Sequence, residues 1–185
     1  TNGVITYISS SSTISTSTTI TQAQIENLDG NGYIFPVTIN GGTASNPITI
    51  TFDEDLTISS TIGTSGYFII GSQYITINGQ NKTVTITDTT NYPGLIQNGT
   101  SSTTANTNVT IENIGVLSSG TTTLANNGGW LCQRYFGKSI STGTLTIHDC
   151  YSTGIISGEY SGGICGAYYG RNANGGTFEI KNCYS

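Results

Sequence analysis

Residues 129–152 read Gly-Trp-Leu-Cys-Gln-Arg-Tyr-Phe-Gly-Lys-Ser-Ile-Ser-Thr-Gly-Thr-Leu-Thr-Ile-His-Asp-Cys-Tyr-Ser, and residues 162–185 read Gly-Gly-Ile-Cys-Gly-Ala-Tyr-Tyr-Gly-Arg-Asn-Ala-Asn-Gly-Gly-Thr-Phe-Glu-Ile-Lys-Asn-Cys-Tyr-Ser. Laid over each other at an offset of 33, Cys132 meets Cys165 and Cys150 meets Cys183. Tyr135-Phe136-Gly137-Lys138 meets Tyr168-Tyr169-Gly170-Arg171, and Gly143-Thr144-Leu145 meets Gly176-Thr177-Phe178. Apolar, glycine, basic and cysteine positions all coincide. A period of this size marks stacked repeats, each too small to bury an apolar face alone.

Fainter copies lie upstream. An apolar-Thr-Ile strand ending in Asn, Asp or Gly recurs at Ile48–Ile50, Ile75–Asn78, Val109–Asn113, Leu145–Asp149 and Phe178–Asn182, at spacings of 27, 34, 36 and 33. Between copies fall further short apolar runs, Val84–Ile86, Leu95-Ile96, Val116-Leu117, Ile155-Ile156 and Gly163-Ile164, bounded by Gly, Asn, Ser and Thr. About three short strands per repeat, with turns of unequal length, predict an all-β fold, a right-handed parallel β-helix whose rungs rise about 4.8 Å each. A left-handed hexapeptide helix needs a stricter period, and an immunoglobulin-like sandwich does not explain coincidence at 33. In each strand the apolar members point inward and Thr points out.

The β-helix is expected over residues 48–185, with its clearest repeats at 119–152 and 152–185. Residues 1–47 do not fit the rung template and are expected to form a cap. Within them Ile20–Leu28 reads as a short helix closed by Asp29-Gly30, with Ile25 and Leu28 on one face. Solenoid ends expose strand edges, which natural proteins cover. After the strand ending at Asn182 no cap is in sight, so continuation into further repeats, or self-association with a neighbouring subunit, is expected there. The start at Thr1 reads as a mature or excised fragment.

Three stretches, Asn182-Cys183-Tyr184-Ser185, Asp149-Cys150-Tyr151-Ser152-Thr153-Gly154 and Ser161-Gly162-Gly163-Ile164-Cys165-Gly166, carry a resemblance. They are similar to the Cys-Tyr-Ser-Thr-Gly and Gly-Gly-Ile-x-Gly repeats of β-helix surface proteins of giant DNA viruses and of adhesin-like proteins. Phe68–Gly79 also resembles the rungs that precede such repeats. The resemblance covers roughly residues 37–185; it implies a surface or fibre role and brings no catalytic motif.

Composition narrows the function classes. Only 8% of the 185 residues are charged, while 33 Thr and 21 Ser make the surface one of hydroxyls and amides. The net charge is -5 with five Lys plus Arg, so a nucleic-acid partner, which needs clustered cations, is excluded. No apolar run reaches the roughly 20 residues that span a bilayer, so no membrane insertion is expected.

Each candidate for chemistry has a plainer reading beside it. No two cysteines lie closer than 15 positions, unlike the usual zinc pairs, so no metal and no cofactor is expected. Cys132 over Cys165 and Cys150 over Cys183 form structural ladders, either disulfides or buried thiols, since the rung spacing suits both. Asp53-Glu54-Asp55 reads as a solvated turn, against a lyase-type carboxylate site that would need a converging cation. His148, the single histidine, aligns with Lys181 and reads as a surface residue. Tyr135, Phe136, Tyr168 and Tyr169 should stack beside Lys138 and Arg171; they are candidate glycan contacts or simply corner packing. Thr-x-Thr pairs resemble ice-binding faces but do not recur in every rung. Asn81, Asn98 and Asn108 open Asn-x-Thr glycosylation patterns.

The sequence therefore predicts a non-enzymatic structural or adhesive module, a rigid rod or fibre on a virion, filament or cell surface. The competing expectations are a polysaccharide-acting, pectate-lyase-like enzyme and a glycan-binding module.

Overall fold

A computed structural model describes residues 12–27 and 32–185. It is an all-β parallel solenoid of about five turns with little helix. The strands are β1 (Ser12–Ile14), β2 (Thr18–Ile20), β3 (Val37–Ile39), β4 (Ile48–Phe52), β5 (Leu56–Ile58), β6 (Phe68–Ile70), β7 (Ile75–Thr87), β8 (Ile96–Gln97), β9 (Val109–Ser119), β10 (Thr144–His148), β11 (Tyr151–Ser152) and β12 (Thr177–Lys181). One five-residue helix, α1 (Gln22–Glu26), and a 3-10 turn (Gly63–Ser65) complete the regular elements among the described residues.

All strand pairings are parallel, as expected for a coil wound in one direction. The main sheet runs β12-β10-β9-β7-β4-β2, and a second runs β1-β3-β6-β8. In the main sheet Ile48 pairs with Ile75, Ile75 with Val109, Val109 with Leu145, and Leu145 with Phe178. That register is the one the Thr-Ile motif predicts. The second sheet is prolonged by bridges from Ile96 to Cys132 and from Cys132 to Cys165. A third face is built by β5, the C-terminal halves of β7 and β9, and β11.

The interior is a set of apolar columns. Ile50, Ile77, Ile111 and Ile147 are all fully buried, directly above one another. Each such side chain contributes about 1.5–3 kcal/mol by leaving water, so the stack gains stability rung by rung. Outward from the same strands runs a column of Thr49, Thr76, Thr110 and Thr146. The neighbouring outward column, Thr51, Asn78, Glu112 and His148, is not threonine, so no two-column threonine array forms.

The corners explain why the strand motif ends in Asn or Asp. Asn113, Asp149 and Asn182 have φ of 55°, 53° and 52°. This left-handed conformation costs ordinary side chains energy and is tolerated best by Gly, Asn and Asp. The whole repeat is duplicated in backbone as well as in sequence: Asn127 and Tyr160, Tyr135 and Tyr168, and Ser139 and Asn172 share the same positive φ at an offset of 33.

Two expectations need correction. Residues upstream of 48 are not outside the solenoid: β1 pairs with β3, β3 with β6, and β2 with β4, so stacking begins at Ser12. The motif misses this layer because Thr18-Thr19-Ile20 leads with Thr and ends at the helix N-cap Thr21 rather than at an Asn corner. The other correction concerns Ile155 and Ile156, which form no strand and are 75% and 49% exposed.

The expected helix is present over Gln22–Glu26, with a Thr21–Gln24 capping box and Ile25 buried. Leu28, Asp29 and Gly30 lie outside the described residues. The helix lies at the edge of β5, where another rung would otherwise sit. Thr57 donates its backbone N–H to Gln22 Oε1 at 2.7 Å, and Gln22 Nε2 donates to the Thr57 carbonyl at 3.1 Å. A side-chain amide thus satisfies both edge groups as a neighbouring strand would.

Candidate functional site

In the two C-terminal repeats Cys132 and Cys165 sit in the second sheet, and Cys150 and Cys183 at the corner between the main sheet and the third face. All four cysteines are free thiols. Cys132 is fully buried and lies in register with Cys165 of the next rung. Burial, and then contact with Cys165, holds the Cys132 thiol well above its ordinary pKa. Cys150 is pushed up to about 12, chiefly by burial. Its Sγ donates to the His148 carbonyl at 3.2 Å, and Cys183 repeats that bond with the Lys181 carbonyl at 3.3 Å. The local fold thus uses the Cys150 and Cys183 thiols as weak donors that fill a corner. Burial keeps Cys132 and Cys150 protonated and makes them poor nucleophiles.

The four aromatics divide by face. Tyr135 and Tyr168 stack on the outside with ring centroids 4.8 Å apart, and the Arg171 guanidinium lies 4.9 Å from the Tyr168 centroid. Phe136 and Tyr169 also stack, at 6.2 Å, but inward. Phe136 is 1% exposed, and the Tyr169 hydroxyl is buried without a partner while its ring meets Phe178 edge-on at 5.4 Å. Phe136 and Tyr169 are therefore corrected from candidate glycan contacts to packing: adjacent residues at a bend point to opposite sides, and only the first of each pair faces solvent.

The glycosylation candidates separate in the same way. Asn98 is fully buried, donating to the Asn106 carbonyl at 2.9 Å and accepting the Asn106 N–H at 2.7 Å. No sugar can be attached there without dismantling that turn, so it is withdrawn. Asn108 is half-buried, and its Oδ1 accepts the Thr144 N–H at 3.4 Å. Asn81 is exposed, at the bulge in β7.

The acidic triplet occupies the turn between β4 and β5, and two of its members act as backbone caps. Glu54 accepts the Gln22 N–H at 2.8 Å, and Asp55 accepts the Thr83 N–H at 2.8 Å, which lowers the Asp55 pKa. His148 is only partly exposed. Its Nε2 lies 2.8 Å from Glu112 and its Nδ1 2.7 Å from Asp149. Asn78 donates to Glu112 at 2.6 Å and Asn182 to Asp149 at 3.0 Å, so five polar side chains from four rungs form one chain of hydrogen bonds. Reading His148 against Lys181 alone hides this; the aligned strands 109–113 and 145–149 already place Glu112 beside it. No group of three or more His, Cys, Asp or Glu among the described residues is arranged to hold a metal ion.

Two features escape the sequence reading altogether. Tyr92 and Trp130 stack inside the coil at 6.2 Å, both fully buried, where the Tyr92 hydroxyl donates to the Gly66 carbonyl at 2.7 Å and the indole N–H finds no partner. Their sequence separation differs from the repeat period, so no periodic signal marks them. On the outside, an open groove of about 610 Å³ crosses three rungs between Tyr67 and Tyr135. No helix among the described residues is long and apolar enough to cross a membrane. Comparison of the chain with protein-family models, with curated proteins and with solved structures finds no match.

Proposed function

We propose that the chain is a non-enzymatic structural and adhesive module, a rigid rod or fibre displayed on a virion, filament or cell surface in an extracellular setting. The observation that carries this reading is the uninterrupted parallel stack. Every inner strand is hydrogen-bonded to a rung above and a rung below, and the interior columns are buried from Ile20 to Ile147. Such a coil resists local opening, because freeing one strand breaks two ladders at once. Its surface of Thr, Ser and Asn offers proteases few charged handles. The resemblance to the viral and adhesin-like repeats supports the same reading, as does exposed Asn81, the one candidate sequon that a surface glycan could reach unhindered.

The partner expected at the last rung is a further rung of the same template, from continuing repeats or from a second copy. Support comes from the exposed large apolar side chains among the described residues, Ile155, Ile156, Tyr160, Tyr168, Ile180 and Tyr184, all of which lie in residues 155–184. Ile180 belongs to the interior column of Ile147 yet is 48% exposed, since no strand covers it.

The test is display itself. Antibodies raised against the folded chain should label intact, unpermeabilised particles or cells of the source, and the label should survive trypsin treatment. Label that appears only after permeabilisation, or that trypsin removes within minutes, overturns the reading.

A further inference from the structure

The groove between Tyr67 and Tyr135 is built of sugar-binding chemistry. It lies over the second sheet. Its floor is the outward pair Gln97 and Gln133, joined by a hydrogen bond of 3.1 Å from Gln97 Nε2 to Gln133 Oε1. Gln133 is 4% exposed and its Nε2 also donates to the Gly94 carbonyl at 2.9 Å, so the floor is fixed before any ligand arrives. The turns that precede the strands, with Asn91 and Asn126, make one wall, and those that follow, with Thr100 and Ser101, make the other.

Three physical points decide the ligand class. The lining is mainly amide, hydroxyl and aromatic ring, and Pro93 and Ala125 are its only aliphatic side chains, too small a surface to select peptide side chains. Tyrosine rings offer flat faces to the C–H surface of a pyranose, while fixed amides match its hydroxyls. Tyr168 already covers one face of Tyr135, and the groove, which Tyr168 does not line, meets what is left of the ring. Finally, Arg134 is the one charged side chain among the lining residues; it is exposed, with its guanidinium 5.8 Å from the Tyr135 centroid. At the rim the Lys138 ammonium donates to the Ser101 carbonyl at 3.0 Å, so in a chain of net charge -5 the two cations beside an aromatic platform select an anionic group that the rest of the surface would repel.

We infer that this groove binds an acidic saccharide chain, with a sugar ring packed on Tyr135, hydroxyls bonded to Gln97 and Asn126, and a carboxylate paired with Arg134. The inference rests on the display reading, to which it adds a ligand, and the two fail separately. Sugar binding by a protein absent from the surface would sink display alone; surface display without sugar binding would sink the groove alone.

The probes are tetrasaccharides of a hexuronic acid and of the matching neutral hexose, immobilised as an array and then measured by titration calorimetry. The uronate should bind, and the neutral sugar more weakly. Tyr135→Ala should weaken both about tenfold, the loss expected when one aromatic contact of about 1.4 kcal/mol is removed. Arg134→Ala, at an exposed position that leaves the melting temperature unchanged, should reduce the preference for the uronate several-fold. Tyr184→Ala, outside the groove, should change nothing. Array-bound sugars offer chain ends, as a cell-surface glycan does, and a soluble polyuronate offers internal segments, as a matrix polysaccharide does; competition between them tells which source fits, and either supports the groove. Absence of binding by the folded protein, or binding indifferent to both Tyr135→Ala and Arg134→Ala, overturns it.

Discussion

Cys150 holds its proton to about pH 12, whereas an exposed thiol gives it up near 9.0. Because the folded pKa is the higher one, its contribution to stability is complete below about pH 9 and is lost as the pH rises toward 12. Cys132, Tyr92 and Tyr169 are raised in the same direction, each chiefly by burial, so they steepen the same alkaline limb. Melting temperature measured from pH 7 to 11 should therefore fall above pH 9, and Cys150→Ala should make that fall shallower. An equal slope in the variant would show that the thiol is not buried as described. Gly154 tests packing at the same scale. A Cβ there would run into the indole of Trp130, which is fully buried and cannot swing aside. Gly154→Ala should cost about 1–3 kcal/mol, read from denaturant midpoints, as overpacked cores do.

At the scale of single elements, the solenoid depends on how corners and edges are finished. Gln22 closes the edge of β5 with two hydrogen bonds, each with a net value of about 0.5–1.5 kcal/mol. Gln22→Ala should lower stability by about 1 kcal/mol and speed hydrogen exchange at the Thr57 amide, leaving the Ile77 amide protected. The corner after β10 carries a pH signature of opposite sign to that of the thiols. A hydrogen bond from His148, and then one from Asn182, holds the Asp149 carboxyl below its ordinary pKa. A lowered folded pKa contributes stability above about pH 4 that is lost as the pH falls. Melting temperature should thus drop on acidification from pH 5 to 2, less steeply in Asp149→Asn. These elements were unequally legible. The Thr-Ile strands and their registers could be read directly, because stacking forces equivalent residues into one column and leaves a period in the sequence. The Asn and Asp corners could be read as punctuation without their φ. The first layer could not be recognised, since its strand Thr18–Ile20 ends at the N-cap Thr21 rather than at an Asn corner and Gln22 covers β5 by a side chain, which leaves no periodic trace. The groove could not either: Tyr67, Gln97 and Arg134 come from different rungs and belong to no shared motif, so only the coil's winding brings them together. Phe136 and Tyr169 failed for a simpler reason, since sequence marks an aromatic pair at a bend but not which member turns inward.

Over the whole molecule, the ladders run through about five turns and stop at β12, which pairs on one side only. At the β5 edge a helix side chain satisfies the backbone, whereas β12 and the large apolar side chains around it face solvent. An apolar face of this kind, in line with unpaired backbone groups, is a template for another strand. In a stack whose stability sums intrinsic and nearest-neighbour contributions, one more rung should stabilise the rung beneath it. Joining a second copy of residues 153–185 after Ser185 should therefore raise the melting temperature by several degrees and bury Ile180 and Tyr184 against their own equivalents. The chain as it stands should sediment as a concentration-dependent mixture of monomer and larger species. The lengthened chain presents the same edge one rung further on, so it should associate equally. Ile180→Lys should abolish association in the original chain, since a charge in an interior column blocks the next rung. The half-exposed position should hold the cost to the monomer to about 1 kcal/mol. If the added rung left the melting temperature unchanged, and the original chain sedimented as a monomer at every concentration, then nothing of the same template belongs on β12, and the partner reading would fall while the coil itself stood.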